Sequence, residues 1–400
     1  MSDLPAAGTF IEVGHFQVFK HDQGAGGDSF LSQKHESDGR VITVLSDGLG
    51  SGIKAGVLST LTATMAMKFI ASDIPIKRAA DIIMNTLPVC KERGISYATF
   101  TLVDIEPNSS VRIMEYDNPG YVLVRQNTVV EPIKQRSTIE RKNKKTAPSM
   151  EASLYYSEYR ARPGDRLVFF SDGITQAGMG TRLYPLGWGA GSVQDFILAK
   201  ISGNPLISAS ELARTVVLEA QQHDCYQAKD DITCGVIYFR HPRDLLIMTG
   251  PPVNMEHDDE MARDFNAFGG RKILSRQLAR PVKLNMKNLD PVVPPTSSME
   301  GADLVTEGII TLGKVSEILE RGARLGSSGQ MERERENGAT KIVDLLLDSD
   351  RIFFVVGTKI NEAHQDPNMP VELEIRRNVV KKIQALLTEQ YLKEVTIRYL

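Results

Sequence analysis

Four hundred residues exceed what one hydrophobic core usually serves, and 42% apolar with 24% charged residues is an ordinary globular composition, so two domains are expected. A formal net charge of −3 excludes a global field that would draw the chain onto nucleic acid or an anionic membrane. The three cysteines, Cys90, Cys225 and Cys234, lack paired metal-ligand spacing, which excludes a disulfide framework. They read as packing residues in a reducing compartment.

No uninterrupted apolar run is long enough to span a membrane, and residues 1–14 have neither the basic start nor the apolar stretch of a signal peptide. The expectation is a cytoplasmic protein.

In chain order, short β-type runs alternate with helical stretches from Glu12 to Phe239, an α+β pattern. A hairpin spans 29–46, with an Asp38-Gly39 turn ahead of the apolar strand 41–45. A helix is predicted over 52–70, because Ile53, Val57, Leu61, Met65 and Phe69 repeat every four residues and Leu58 widens the stripe. A second begins near Pro75, with Ile76, Ile83 and Leu87 on one face. Strands follow at 97–105, 111–116, 121–125 and 166–170. A third helix starts at Ser208, with Glu211 three residues on as in a capping box, and the last strand is 232–239.

Residues 134–145 carry Lys134, Arg136, Arg141, Lys142, Lys144 and Lys145 against Glu140. They read as a solvated, mobile loop, or alternatively as a contact for an acidic or phosphorylated partner. After His241-Pro242-Arg243 the character changes, and the boundary is set between residues 243 and 244. Residues 244–400 suggest strands at 245–248, 272–274, 282–286, 352–356 and 395–399. Helices are suggested near 255–268, 312–319, 342–347 and 375–387, so this is a smaller α/β domain, with a polar loop at 326–338. The strand ending at Met248, followed by Thr249-Gly250, could offer a small-ligand site at its carboxyl end or be an ordinary loop. The acidic run Glu256-His257-Asp258-Asp259-Glu260 reads as a solvated first helical turn.

Four aspartates stand at strand ends: Gly27-Asp28, Asp47-Gly48-Leu49-Gly50, Ser171-Asp172-Gly173 and Asp230-Asp231-Ile232-Thr233. In the hairpin, Asp28 opens one strand and Asp47 closes its neighbour, so antiparallel register brings them to the same end. Asp172 follows strand 166–170 and Asp230 precedes strand 232–239, so the same logic pairs them. Gathered carboxylates raise one another's pKa unless cations neutralise them, and an all-oxygen set suits Mg²⁺ or Mn²⁺. Two such ions can activate a water and stabilise a phosphoryl group, with no side-chain nucleophile. The glycines after Asp47 allow a tight turn and present the Gly48 carbonyl as a possible ligand.

With these motifs in order, and with Asp117-Asn118-Pro119-Gly120-Tyr121 between them, residues 10–240 resemble the PPM-type metal-dependent protein phosphatases. Within them, the chain is similar to the bacterial branch typified by sporulation stage II protein E and the stress-response phosphatases. The resemblance implies a PPM phosphatase-like α-β-β-α sandwich over residues 1–243. It implies that Asp47 bridges two divalent cations and that the Gly48 carbonyl serves one of them. Asp172 and Asp230 would hold the other, Asp28 would support them directly or through water, and Asp231 ranks below Asp230. Departures from the family pattern are Gln176, where relatives often carry an acid, and Asp117–Tyr121 in place of Asn-Ala-Gly-His.

In that branch the helices after the Asp-Gly-x-Gly motif respond to an attached regulatory region, which makes residues 244–400 a candidate regulator. The implied activity is hydrolysis of phosphoserine or phosphothreonine in a bacterial signalling protein, such as a phosphorylated sigma-factor regulator, by metal-activated water. A non-catalytic signalling scaffold or ligand sensor on the same fold is the alternative, with hydrolysis of a small phosphorylated molecule as a third reading.

Overall fold

The computed structural model describes all residues except 1–8, 36–38, 51, 87–97, 142–149, 253, 255, 276–303, 307–308, 326–337 and 359–371. The chain divides into two compact units, Thr9–Arg240 and His241–Leu400.

The first unit holds β1 (Phe10–Val18), β2 (Asp28–Lys34), β3 (Val41–Gly48), α1 (Ile53–Ala71), α2 (Ile76–Thr86), β4 (Ala98–Ile105), β5 (Ser110–Tyr116), β6 (Val122–Arg125) and β7 (Thr128–Val130). It continues with β8 (Lys134–Arg141), β9 (Met150–Arg160), β10 (Arg166–Phe170), α3 (Asp172–Thr175), α4 (Ala190–Gly203), α5 (Ala209–His223) and β11 (Ile232–Arg240). The strands form an antiparallel five-stranded sheet, β1-β11-β10-β6-β7, and an antiparallel six-stranded sheet, β2-β3-β4-β5-β9-β8.

Side chains alternate across a strand, so each sheet has two faces to cover. The inner faces meet in one core built from Leu45, Val103 and Ile113 of one sheet and Leu123, Phe169 and Ile237 of the other. On the outer faces, α4 and α5 cover the five-stranded sheet, and α1 and α2 cover the six-stranded one. This is the expected α-β-β-α sandwich. Central strands such as β4 and β11 are buried almost throughout because both faces are covered.

Helix α1 corrects the first half of its predicted apolar stripe, whereas Met65 and Phe69 of that stripe pack against the core. Ile53, Val57 and Leu61 are 76%, 60% and 46% exposed, whereas Ala55, Ser59, Thr62, Ala63, Ala66, Met67 and Ile70 are buried. Small residues let the helix lie close on β2, β3 and β4, a gain in contact that outweighs burying the larger stripe. The buried hydroxyls are satisfied: Ser59 donates to the Gly56 carbonyl at 3.1 Å, and Thr62 donates to the Leu58 carbonyl at 2.8 Å. By length and composition α1 is the one helix among the described residues that could cross a membrane, yet this face lies against the sheet.

Residues 134–141 are strand β8, paired along its length with β9, rather than a mobile loop. Lys134 forms an ion pair with Glu115 at 2.6 Å and stands 4.3 Å from the centre of the Tyr121 ring. Helix α4, absent from the sequence expectation, has a readable signal in Val193, Ile197 and Ile201, which recur every fourth residue and are buried. Ser208 caps α5 by accepting from the Glu211 amide at 3.2 Å, as its spacing predicted. The Asp38 turn, Leu87, Cys90, residues 142–145, the 282–286 strand and residues 326–337 of the polar loop lie outside the described residues.

The second unit comprises β12 (Asp244–Thr249), α6 (Glu256–Ala267), β13 (Arg271–Ser275), β14 (Leu304–Thr306), α7 (Ile309–Leu325), α8 (Gly338–Leu347), β15 (Arg351–Val356), α9 (Glu372–Glu389) and β16 (Glu394–Tyr399). Its sheet is wholly parallel, in the order β14-β13-β12-β15-β16. Taken in sequence order from β12, that is 3-2-1-4-5, a doubly wound topology. Helix α6 packs on one face, and α7, α8 and α9 pack on the other.

Candidate metal centre

The β2–β3 register sets Asp28 opposite Asp47, the adjacency expected of the hairpin. On the other sheet, β10 pairs with β11 so that Phe170 faces Cys234. The Ser171 amide donates to the Thr233 carbonyl at 3.0 Å, which prolongs the pairing to the point where α3 begins at Asp172.

Two glycines make these junctions possible by close approach. A Cβ on Gly48 would lie 2.1 Å from the Ala55 carbonyl oxygen, and one on Gly173 would lie 2.1 Å from the Asp231 carbonyl oxygen. Helix α1 therefore starts against the end of β3, and α3 against the start of β11. Any side chain at either glycine would push the neighbouring carboxylates apart.

The electrostatics tie the carboxyls together through Asp172, whose charge acts on Asp28, Asp47, Asp117 and Asp230. Asp28 is pushed up to about 8, chiefly by burial and further by the charges of Asp231 and Asp172. Hydrogen bonds from Thr233, at 2.6 Å, and Ser171 oppose that rise. Asp47 lies well above the usual carboxylate range, through burial first and then through Asp28, Asp172 and Asp230. Its carboxyl shares a hydrogen bond with Asp172. Asp172 and Asp230 are raised by burial, and Asp230 also by the charge of Asp172, with Lys20 drawing it back.

Neighbouring residues hold these groups in place. The Gln176 side-chain amide donates to the Asp172 carboxylate at 2.7 Å. Asp231 is buried and accepts from the backbone amides of Gly27 and, at 3.0 Å, Lys20, so it clamps the segment leading into β2 to the start of β11. The Asp230 carboxylate accepts from the Asp231 amide at 3.0 Å. Asn118 receives a hydrogen bond from Thr99, the register partner of Asp47, and donates to Thr101 at 3.1 Å.

The cluster also includes Asp117, to which the sequence assigns no ligand role, and Asp231, which ranks below Asp230 there. Asp117 adopts φ 55°, a left-handed conformation that Asp tolerates, and its pKa is raised by burial and by Asp172. Asp231 is committed to backbone amides, an arrangement that only the packing of two sheets reveals.

Among the described residues, no three or more His, Cys, Asp or Glu side chains form a ready-made metal-ligand group. The donor set nevertheless fits hard divalent cations. It is all oxygen, and the charges that act on Asp28, Asp47 and Asp117 come from other carboxylates rather than from lysine or arginine. Divalent cations would supply the missing positive charge.

No curated protein sequence matches the chain. Solved structures to which it is similar include the phosphatase domain of the cell-fate determinant SpoIIE from Bacillus subtilis, at 19% identity and TM-score 0.42, covering 59% of this chain and 95% of that one. Another is the SiaA-PP2C domain of Pseudomonas aeruginosa, at 15% identity and TM-score 0.40, covering 56% and 84%. A third is the catalytic domain of the serine/threonine phosphatase PstP in complex with two manganese ions, at 15% identity and TM-score 0.39, covering 58% and 99%. The family model described as Stage II sporulation protein E (SpoIIE) matches residues 37–240, just over half of the chain. The chain belongs to the stage II sporulation protein E family.

Proposed function

We propose that the unit Thr9–Arg240 hydrolyses phosphoserine or phosphothreonine in a protein, using two divalent cations, Mn²⁺ or Mg²⁺, held by the aspartate cluster. The observation that carries this reading is the gathering of carboxyls from both sheets: register sets Asp28 opposite Asp47, and the charge of Asp172 acts on Asp28, Asp47 and Asp230, which burial raises first and like charges raise further. Asp47, the Gly48 carbonyl, Asp172 and Asp230 would hold the two cations, and Asp28 would support them. When bound, the cations would supply an activated water and neutralise charge on the phosphoryl group.

The surrounding residues position this chemistry. Gln176 fixes one oxygen of Asp172, so the other is left to face the cluster. Thr233 and Ser171 orient Asp28 and favour its charged form. Asp231 holds the entrance to β2 in register and acts on the cluster through geometry. Family membership supports a small bacterial signalling protein as substrate, such as a phosphorylated sigma-factor regulator.

The test compares Mn²⁺-dependent phosphate release from a phosphoserine protein and from a small phosphomonoester, for wild type and Asp47→Ala. Turnover on the protein that disappears in a folded Asp47→Ala supports the reading. Bound metal without turnover on either substrate would transfer the assignment to a signalling scaffold, and preference for the small ester would make it a small-molecule hydrolase.

A further inference from the structure

Side chains alternate along a strand, so residues directly opposite one another across the six-stranded sheet share a face. Asp47 pairs with Asp28 on one side and Thr99 on the other, and its face is the inner one that carries Leu45 into the core between the sheets. Continued by one residue, the pairing of Phe100 with Tyr116 sets Thr99 level with Asp117, and the pairing of Glu115 with Tyr155 sets Asp117 level with Ser153. In the edge strand β8, Arg136 stands opposite Tyr155 and so lies on the same face. One row of side chains thus runs along the inner face from Asp28 and Asp47 to Ser153, and Arg136 reaches it from the edge.

The outer end of this row is open. Leu45, Val103 and Ile113 are buried on the inner face, whereas Tyr155 is 39% exposed and Arg136 is exposed as well. Other arginines of this unit are neutralised: Arg40 and Arg112 by Asp104, Arg125 by Asp165 and Arg240 by Glu12. Arg136 has no carboxylate on it among the described residues. Its Nε and Nη2 donate to the Ser153 hydroxyl at 3.1 and 2.8 Å, which fixes the guanidinium through one edge of its planar fork. The Nη1 and Nη2 donors of the other edge remain for a bidentate carboxylate. Neighbouring strands lie about 4.8 Å apart, so the three steps from β3 through β4 and β5 to β9 put Ser153 about 14 Å from Asp47. An extended peptide covers that distance in about four residues.

We propose that Arg136 selects the protein substrate by binding an aspartate or glutamate about four residues from the phosphorylated side chain, while the phosphoryl group sits at the aspartate cluster. The inference rests on the phosphatase reading and adds a sequence preference to it. An unneutralised, pre-oriented guanidinium calls for an anion, and its distance from the cluster calls for a chain that spans both places rather than a small ester.

The test uses the full chain in Mn²⁺ and phosphoserine peptides of otherwise neutral sequence, with a single glutamate moved residue by residue along either side of the phosphoserine. In wild type, kcat/KM should rise about tenfold when the glutamate stands about three to five residues away on one side, and Arg136→Gln should abolish that rise. Arg136→Glu, a second variant, should invert it in favour of lysine at the same place. Lys77→Gln removes a cation from the outer face, where the ammonium lies 4.4 Å from the centre of the Tyr156 ring, and should leave the preference as it is. Fluorescence anisotropy of the same peptides in Mn²⁺ reads binding without turnover. A glutamate preference in binding with no hydrolysis would overturn the phosphatase reading and keep Arg136 as a contact for acidic peptides. The inference about Arg136 is overturned if no glutamate position alters turnover or binding, if the preference survives in both Arg136 variants, or if Lys77→Gln removes it equally.

Discussion

The Gln176 side-chain amide donates to Asp172, the carboxylate that acts on the rest of the cluster. An acid there would exchange a hydrogen bond for a further like charge. Gln176→Glu is therefore expected to destabilise the metal-free protein by about 1–3 kcal/mol, with Mn²⁺ restoring much of the loss. Thermal melts in EDTA and in Mn²⁺ measure both effects, and an unchanged melt in EDTA would contradict the role given to Gln176. His15 provides a pH signature away from the ligands. It stacks on Phe30, with ring centres 4.3 Å apart, and burial lowers its pKa from 6.5. The unfolded chain then binds more protons below pH 6.5, so stability is fully present above that value and is lost as pH falls towards the folded-state pKa. The stability gap between His15→Phe and wild type should shift in favour of the variant from pH 7 to pH 5, in chemical denaturation at each pH. A constant gap would contradict it.

At the scale of elements, α1 is the informative case. Its large side chains repeat every four residues, yet the small-residue face meets the sheet. Ala63 and Ala66 are fully buried in that contact, so Ala63→Leu should destabilise the protein by about 1–3 kcal/mol through overpacking. Leu61→Ser, on the exposed face, should change stability by no more than about 0.5 kcal/mol in the isolated chain. Denaturant midpoints for the two variants decide between the faces, and the reverse ranking would restore the orientation read from periodicity. The exposed stripe of Ile53, Val57 and Leu61 begins a few residues after Gly48, so whatever covers it acts on the helix that abuts the proposed metal site.

For the whole molecule, the two units have separate cores, and the carboxylate cluster belongs to one of them. A cation that binds only the folded first unit stabilises that unit by about 2.7 kcal/mol at a hundred times its Kd. Scanning calorimetry should show two transitions, with Mn²⁺ raising one and leaving the other in place. A chain ending at Arg240 should retain the Mn²⁺-sensitive transition. Equal shifts in both transitions of the full chain would contradict independent cores.

How much was legible in sequence follows from the range of the forces involved. Strand apolarity, Asp-Gly punctuation and antiparallel register are local properties, so Asp28 beside Asp47, the cap at Ser208 and the α+β class could be read from neighbouring residues alone. The face of α1, the pairing of the basic segment 134–141, the clamp made by Asp231 and the inclusion of Asp117 could not. Each depends on which remote backbone comes within a few ångströms, as when Asp231 meets Gly27 or β8 meets β9. The row from Asp47 to Arg136 was equally hidden, because its residues come from strands far apart in sequence and become neighbours only across the sheet. The sequence by itself determined the kinds of donor atoms and the strand ends that bear them. Tertiary structure decided which donors share a space, because burial and like-charge repulsion act through distance in the fold rather than along the chain.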